Sequence, residues 1–154
     1  MCGGYFCQRI EDRTGCDTCG KQVDSLTMAM EEQSMMKELS LADNADLCGV
    51  LQKLLDSQIV HPTHHIMVRL YMRLVESVAR ISPDAAVLAA AVQHGPALLQ
   101  VLDRLDGEEG KLLKKYRKMY SLVEYKELVR RQEEGGLSQM EFQTKLEELR
   151  ENLV

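Results

Sequence analysis

Four of the five cysteines lie near the N-terminus, and their type and spacing could bind a metal ion: Cys2, Cys7, Cys16 and Cys19. Cys16 and Cys19 are separated by two residues and followed by Gly20, so a tight turn can direct both thiolates at one ion. Zinc is the ion that such clusters usually bind. The spacing of Cys2 and Cys7 is wider than in most zinc pairs. We therefore predict a structural zinc site with at least Cys16 and Cys19 as ligands, and with Cys2 and Cys7 as the other candidates.

Two other interpretations of these cysteines stay open. A redox-active Cys-x-x-Cys motif follows a strand and opens a helix, and the preceding Thr14 and Gly15 do not favour that arrangement. The thiols could also be uncoordinated. The fifth cysteine, Cys48, stands among apolar residues of a predicted helix, so we expect it to be a small buried residue rather than a ligand.

Three histidines, His61, His64 and His65, are crowded at the predicted start of one helix. They lack a paired motif such as His-Glu-x-x-His, which would place two imidazoles on one helical face. Imidazoles near a helix N-terminus commonly form hydrogen bonds or face solvent. We therefore expect a structural role for these histidines rather than metal binding or acid–base catalysis.

The remaining patterns indicate no catalytic or cofactor-binding residue. The basic residues between positions 111 and 118 are spread around the polar side of a helix and are balanced by glutamates downstream, which favours a solvated face over a phosphate site. The sequence contains no glycine-rich phosphate loop, nucleophile elbow or kinase motif. No catalytic base or nucleophile is therefore assigned.

Composition limits the class of protein and of partner. The chain has 154 residues, the size of a single domain with its own core. Its formal net charge of −5 argues against nucleic acid as a partner, because such binding depends on neutralising phosphates. No stretch reaches the roughly 18 consecutive apolar residues of a membrane span, and no secretion or lipidation signal is recognisable. We expect an intracellular protein, cytoplasmic or nuclear, with reduced cysteines and no membrane partner.

Helices are the elements that must position these residues. Aromatic residues make up only 5% of the chain while leucine and methionine are frequent, which favours helices over strands. Apolar residues recur at helical spacing from residue 24 onward and predict helices over residues 24–39, 47–58, 62–80 and 111–134. Within residues 85–106, Gly95 and Pro96 predict a break between two shorter helices.

Capping residues predict where several helices begin and end. Ser82 reads as the N-cap of a helix whose first residue is Pro83, and Gly107 as a C-terminal cap. The last helix has the clearest start, because Ser138 and Glu141 form a capping box. The predicted fold class is all-α, with about six helices in a bundle or a helical-repeat-like array. The predicted division is a cysteine-rich zinc module over residues 1–23 and a helical domain over residues 24–154.

The order of these features resembles one protein family. A Gly-Gly-Tyr stretch beside cysteines, the Cys-x-x-Cys-Gly motif and an acidic helix precede residues 60–67, which read Val-His-Pro-Thr-His-His-Ile-Met. Residues 98–107, a long helix and a terminal helical hairpin follow. This order is similar to the region after the catalytic domain in SET and MYND domain (SMYD) protein-lysine methyltransferases, most closely those of arthropods. The motifs are short, and their order carries the resemblance over nearly the whole chain.

The resemblance implies a zinc module that follows the SET core and a helical domain on the substrate side. Cys16 and Cys19 match the second ligand pair of that module, and Cys2 matches one cysteine of the first pair. The partner of Cys2 would lie upstream of Met1, so Cys7 either replaces it or the site is incomplete.

The SET core itself is not recognisable in this sequence. Its glycine-rich strand, its Asn-His segment and its channel tyrosine are missing, so S-adenosylmethionine is not expected to bind this chain alone. The resemblance therefore implies a non-catalytic fragment or derivative that acts through protein–protein contacts. Two alternatives stay open: a part of an active methyltransferase whose catalytic core lies outside this chain, or an unrelated helical adaptor with a zinc knuckle.

Overall fold

The structure, a computed structural model, describes residues 6–10, 13–16, 22–44, 46–57, 64–81 and 84–151. The fold is all-α, as predicted, and six helices account for most of these residues. The helices are α1 (Ser25–Leu41), α2 (Leu47–Ser57), α3 (His65–Arg80), α4 (Ala85–Asp106), α5 (Lys111–Glu133) and α6 (Gln139–Glu151). Their bounds agree closely with the apolar periodicity, except that α3 begins at His65 and α4 is continuous.

Three short strands near the N-terminus form a small antiparallel sheet that the sequence did not predict. They are β1 (Phe6–Ile10), β2 (Arg13–Cys16) and β3 (Gln22–Asp24), in the order β1-β2-β3. The register pairs Phe6 with Cys16 and Gln8 with Gly15, so a bulge falls between Phe6 and Gln8. Except for Asp24 at the end of β3, this sheet lies within residues 1–23, the segment predicted to be a separate cysteine-rich module.

Contacts along the chain divide it into an N-terminal unit (Met1–Leu70) and a C-terminal unit (Tyr71–Val154). In the N-terminal unit, α1 packs against β3 and α2. The buried apolar residues of this unit are Leu39, Leu47, Val50, Leu51, Leu54, Ile66, Met67, Val68 and Leu70. The carboxylate of Asp43 accepts a hydrogen bond from the backbone N–H of Asp46 at 3.1 Å, which caps the entry into α2.

The C-terminal unit contains the rest of α3 and the helices α4, α5 and α6. Here α5 packs against both α4 and α6. The buried apolar residues are Tyr71, Leu74, Val75, Val78, Val87, Leu88, Ala91, Leu98, Leu102, Leu113, Tyr116, Tyr120, Val123 and Leu128. Each buried valine or leucine among them stabilises the fold by about 1.5–3 kcal/mol when it leaves water. They come from α3, α4 and α5, so these helices hold the core of the unit.

The connection between α4 and α5 is closed by a side chain of α4. The carboxylate of Asp106 accepts hydrogen bonds from the N–H groups of Leu112 and Leu113, at 2.8 and 3.3 Å. The N-cap residue of α5, Gly110, has no side chain to do this, and a Cβ there would overlap the Asp106 carboxylate. Gly107 ends α4 at a φ of 69°, which confirms the predicted glycine cap.

Two further helix starts test the capping predictions. At α6 the capping box is confirmed: the Ser138 N–H donates to Glu141 at 2.9 Å, and the Glu141 N–H donates to the Ser138 hydroxyl at 3.3 Å. At α4 the prediction of Ser82 as N-cap was wrong. Asp84 is the N-cap, and its carboxylate accepts from the Ala86 N–H at 3.4 Å. The helix therefore starts two residues later than the Ser-Pro pattern indicated.

The predicted break at Gly95 and Pro96 was also wrong, because α4 runs through both residues. Pro96 has no N–H and cannot donate to the carbonyl oxygen of Val92. The hydroxyl of Tyr120, on α5, donates to that oxygen instead, at 3.2 Å. Gly95 is buried against the same ring, and a Cβ there would overlap it. The packing of α5 thus satisfies the backbone group that the proline leaves open.

Polar contacts also tie α5 to α3. The carboxylate of Glu76 accepts from the Tyr116 hydroxyl at 2.6 Å and from the Lys115 ammonium at 3.1 Å. Partial burial acts to raise the pKa of Glu76, but these two donors outweigh it and lower the pKa below its usual value. The ammonium of Lys126 donates to the carbonyl oxygens of Val78 and Ile81, where a cation interacts well with the C-terminal end of α3.

Candidate functional sites

Two of the four cysteines predicted to bind zinc lie in described strands. Cys7 is in β1 at the bulge, and Cys16 is in β2, paired with Phe6. The backbone therefore places these two residues on neighbouring strands of one sheet. Cys2 and Cys19 lie outside the described residues. The zinc site stays a prediction.

Two histidines and a glutamate come together in the N-terminal unit, and we call Glu32, His64 and His65 the histidine–glutamate cluster. Nε2 of His64 lies 2.6 Å from Oε1 of Glu32. The ring centroids of His64 and His65 are 4.3 Å apart. One potential ligand atom from each of the three side chains lies within 4.8 Å of the other two. A modest side-chain adjustment would bring these atoms around one ion.

The first half of α1 and the start of α3 position this cluster. Glu32 is on α1, and His65 is the first residue of α3. The next two residues, Ile66 and Met67, are completely buried, which fixes the start of α3. Nδ1 of His64 accepts a hydrogen bond from the Ile66 N–H at 3.4 Å, so neutral His64 carries its proton on Nε2, facing Glu32.

The cluster lies at the surface, where an ion could reach it. The side chains of His64 and Glu32 are 24% and 36% exposed, and His65 is exposed. The hydrogen bonds of His64 are compatible with the structural role that the sequence predicted, and the ligand set also fits a metal ion. His61 lies outside the described residues. Sequence reasoning missed Glu32, because a glutamate on a weakly amphipathic helix gives no signal before the fold brings it to the histidines.

An open groove of about 340 Å³ lies between α4, α5 and α6 in the C-terminal unit. Its floor carries apolar and aromatic side chains: Val92, Tyr120, Leu128 and Leu149. Its rim carries charges of both signs: Glu124, Glu127, Arg131, Lys145 and Glu148. We call this feature the interaction groove. No motif indicated it, because its wall on α6 consists of the exposed Lys145 and Glu148 and the half-buried Leu149, which are ordinary residues of a polar helix.

Glu124 is the side chain in the groove with the most unusual surroundings. It is half-buried, and burial raises its pKa above the usual value. Within the part of the chain that the structure describes, its carboxylate makes no hydrogen bond or ion pair. By contrast, both oxygens of Glu127 accept from Arg130, at 2.8 and 2.9 Å, and these hydrogen bonds lower the pKa of Glu127. Among the described residues, Glu124 is therefore a partly desolvated charge that lacks a cation.

Tyr120 connects the groove with the interior of the unit. Burial, together with the nearby Glu124 carboxylate, raises the pKa of Tyr120 to about 12. Its hydroxyl therefore stays protonated at physiological pH and remains a donor to the Val92 carbonyl oxygen. The ring contributes to the floor of the groove while its packing against Gly95 keeps it in place.

The other residues considered from the sequence lie elsewhere. The five basic residues between positions 111 and 118 are all exposed, as expected of a solvated face. His94, which the predicted break at Gly95 and Pro96 would place in a loop, lies inside α4. It stacks on Tyr71 with ring centroids 5.0 Å apart, and burial lowers its pKa. Cys48 is half-buried rather than buried.

Comparison with known proteins assigns no relative, since no family model, curated protein or solved structure matches this chain. The resemblance to SMYD proteins therefore stays an expectation. One helix among the described residues, α4, is long and apolar enough to cross a membrane by length and composition alone. A core helix of a protein outside a membrane passes the same test, and one side of α4 packs on α5.

Proposed function

We propose that this protein is a non-catalytic helical interaction module that acts through protein–protein contacts at the interaction groove. The observation that carries the proposal is the pairing of an apolar floor with Glu124, a half-buried carboxylate that has no cation among the described residues. Leaving such a charge partly desolvated costs stability, and a basic group from a partner would offset that cost. This role agrees with what the resemblance to the C-terminal part of SMYD proteins implies.

The shape and chemistry of the groove favour a segment of a protein over a small molecule. Its volume of about 340 Å³ is at the low end of the range for small-molecule sites, and it is open to solvent. Amphipathic helices commonly lay apolar side chains into such grooves between helices. We propose a partner segment with an apolar side chain for the floor and a lysine or arginine that pairs with Glu124.

The rim would set the orientation of this segment. Arg131 and Lys145 lie on the same groove as Glu148 and Glu124. Charges of both signs give specificity and a defined register more than raw affinity. A partner segment should therefore carry an acidic residue at some distance from its basic one.

A peptide-display selection tests the proposal and requires no identified partner. A random peptide library is selected on the full chain, with counter-selection on Val92→Arg, which places a large charged group on the groove floor. We expect enriched peptides that combine an apolar residue with lysine or arginine. Glu124→Gln should weaken their binding at least about tenfold, in keeping with the roughly 1.5–3 kcal/mol typical of a hydrogen bond to a charged group.

A matched control lies on the same helix. Glu133 is exposed on α5 and does not line the groove, so Glu133→Gln should leave peptide binding unchanged. Circular dichroism of each variant checks that the helices are intact. Enriched peptides that bind Glu124→Gln as tightly as the parent chain, or a library in which every binder is removed by the Val92→Arg counter-selection, would show that the groove is not the binding surface.

A further inference from the structure

We infer that the histidine–glutamate cluster (Glu32, His64 and His65) binds a divalent transition-metal ion. None of these three residues lines the groove, and none is one of the cysteines predicted to bind zinc. The inference rests on three side chains of ligand type that two segments of the N-terminal unit bring together. One potential ligand atom from each side chain lies within 4.8 Å of the other two.

The distances are close to those of a real site. Zinc lies about 2.0–2.2 Å from imidazole nitrogen and carboxylate oxygen, so neighbouring ligand atoms in a tetrahedral site are about 3.4 Å apart. The Nε2 of His64 and the Oε1 of Glu32 are 2.6 Å apart, the separation of a hydrogen bond. Binding would lengthen this distance by somewhat less than 1 Å. The Glu32 side chain is 36% exposed and has room to move outward by a change of rotamer.

The metal ion would take the place of a proton. The hydrogen bond from the Ile66 N–H to Nδ1 of His64 places the proton of the neutral ring on Nε2, opposite Glu32. When the ion binds at Nε2, the ring proton moves to Nδ1 and the long Ile66 contact of 3.4 Å is lost. That contact is weak, so its loss costs little compared with the bond to the ion.

The ligand set selects the class of ion. Two imidazoles and one carboxylate suit zinc, cobalt, nickel and copper, whereas magnesium and calcium prefer oxygen ligands alone. Three protein ligands leave a coordination position for water. An ion bound here would join α1 to the start of α3, the two elements that supply its ligands.

Cobalt(II) binding to the full chain in its metal-free form tests the inference. Cobalt bound by cysteine thiolates shows intense thiolate-to-metal absorption, whereas cobalt bound by imidazole and carboxylate does not. We expect the chain to bind cobalt without thiolate absorption at the histidine–glutamate cluster. Replacing the four N-terminal cysteines with serine should leave that signal in place.

Single substitutions locate the ion. His65→Ala and Glu32→Gln should each raise the dissociation constant for this cobalt at least about tenfold, since even outer-shell changes reach that size. Both side chains are partly or fully exposed, so the variants should fold. Glu31→Gln, the exposed neighbour on α1, is the matched control and should bind like the parent chain.

Two results would overturn the inference. One is a cobalt signal in the parent chain that consists only of thiolate ligation. The other is a cobalt signal without thiolate absorption whose dissociation constant is the same in His65→Ala and Glu32→Gln as in the Glu31→Gln control.

Discussion

Substitutions at Tyr120 and Pro96 should not be additive, because both residues act on one carbonyl oxygen. The Tyr120 hydroxyl donates to Val92 at 3.2 Å, where a residue other than proline at position 96 would supply its own N–H. Tyr120→Phe keeps the ring against Gly95 and removes only the donor. Pro96→Ala restores the backbone donor of an ordinary helix.

The expected loss of unfolding free energy in Tyr120→Phe follows from these contacts. A buried acceptor left without a partner costs about 1–3 kcal/mol. The oxygen of Val92 belongs to a half-buried residue beside an open groove, where water can partly replace the donor. Tyr120→Phe should therefore lower the free energy of unfolding by about 1 kcal/mol, at the low end of that range. In the Pro96→Ala background the loss should shrink to about 0.3 kcal/mol or less, within the usual error of additivity.

The assay is urea denaturation followed by circular dichroism on the parent chain, both single variants and the double variant. The slope of the unfolding free energy against urea must stay the same across the four proteins for the comparison to hold. A coupling of about 0.5–1 kcal/mol supports the shared acceptor. If Tyr120→Phe lowers the free energy of unfolding equally in the parent chain and in the Pro96→Ala variant, the idea that the tyrosine replaces the missing N–H is refuted.

Four further changes have defined outcomes. Glu124→Gln should stabilise the protein at neutral pH, because burial raises the folded-state pKa of Glu124 above its ordinary value of 4.5 and so penalises the charged form. The gain should fade as the pH falls through the raised folded-state pKa and be gone below 4.5, which melting temperatures measured across pH will show. Gly49→Ala should stabilise α2 by up to about 1 kcal/mol because nothing lies near its Cβ position, whereas Gly95→Ala should destabilise α4 by clashing with an aromatic ring, both measured by urea denaturation. Serine at Cys16 and Cys19 should abolish the predicted zinc binding while the helical circular dichroism persists, and unchanged zinc content would contradict the assignment.

Local signals in the sequence were enough to locate most helices. The Ser138 and Glu141 capping box and the Gly107 cap depend on neighbouring residues alone, and both are confirmed. Gly95 and Pro96 misled the prediction of α4 because the group that compensates for the proline lies on another helix. Helix propensity describes how much a residue such as glycine or proline destabilises an isolated helix. Contacts with other helices can offset that cost, as they do here.

The candidate sites were harder to predict than the helices for the same reason. His64 and His65 are conspicuous in the sequence, but Glu32 joins them only through the arrangement of α1 and α3. Glu124 looks like any glutamate on a polar helix until the fold half-buries it without an ion pair among the described residues. The cysteine prediction has a spacing motif of its own and depends less on the fold.

The shallow packing of α6 has a consequence for how the groove behaves in time. Its apolar residues Phe142, Leu146 and Leu149 are only half-buried, and α6 packs against α5 alone among the helix pairs with extensive contact in the described part of the chain. Segments with few buried apolar contacts open at a lower free energy than the core of a protein. The amides of α6 should therefore exchange with deuterium earlier than those of α4 and α5. Each such opening removes one wall of the groove. The rate at which a partner reaches the groove floor therefore depends on how often α6 opens, as well as on the shape of the groove.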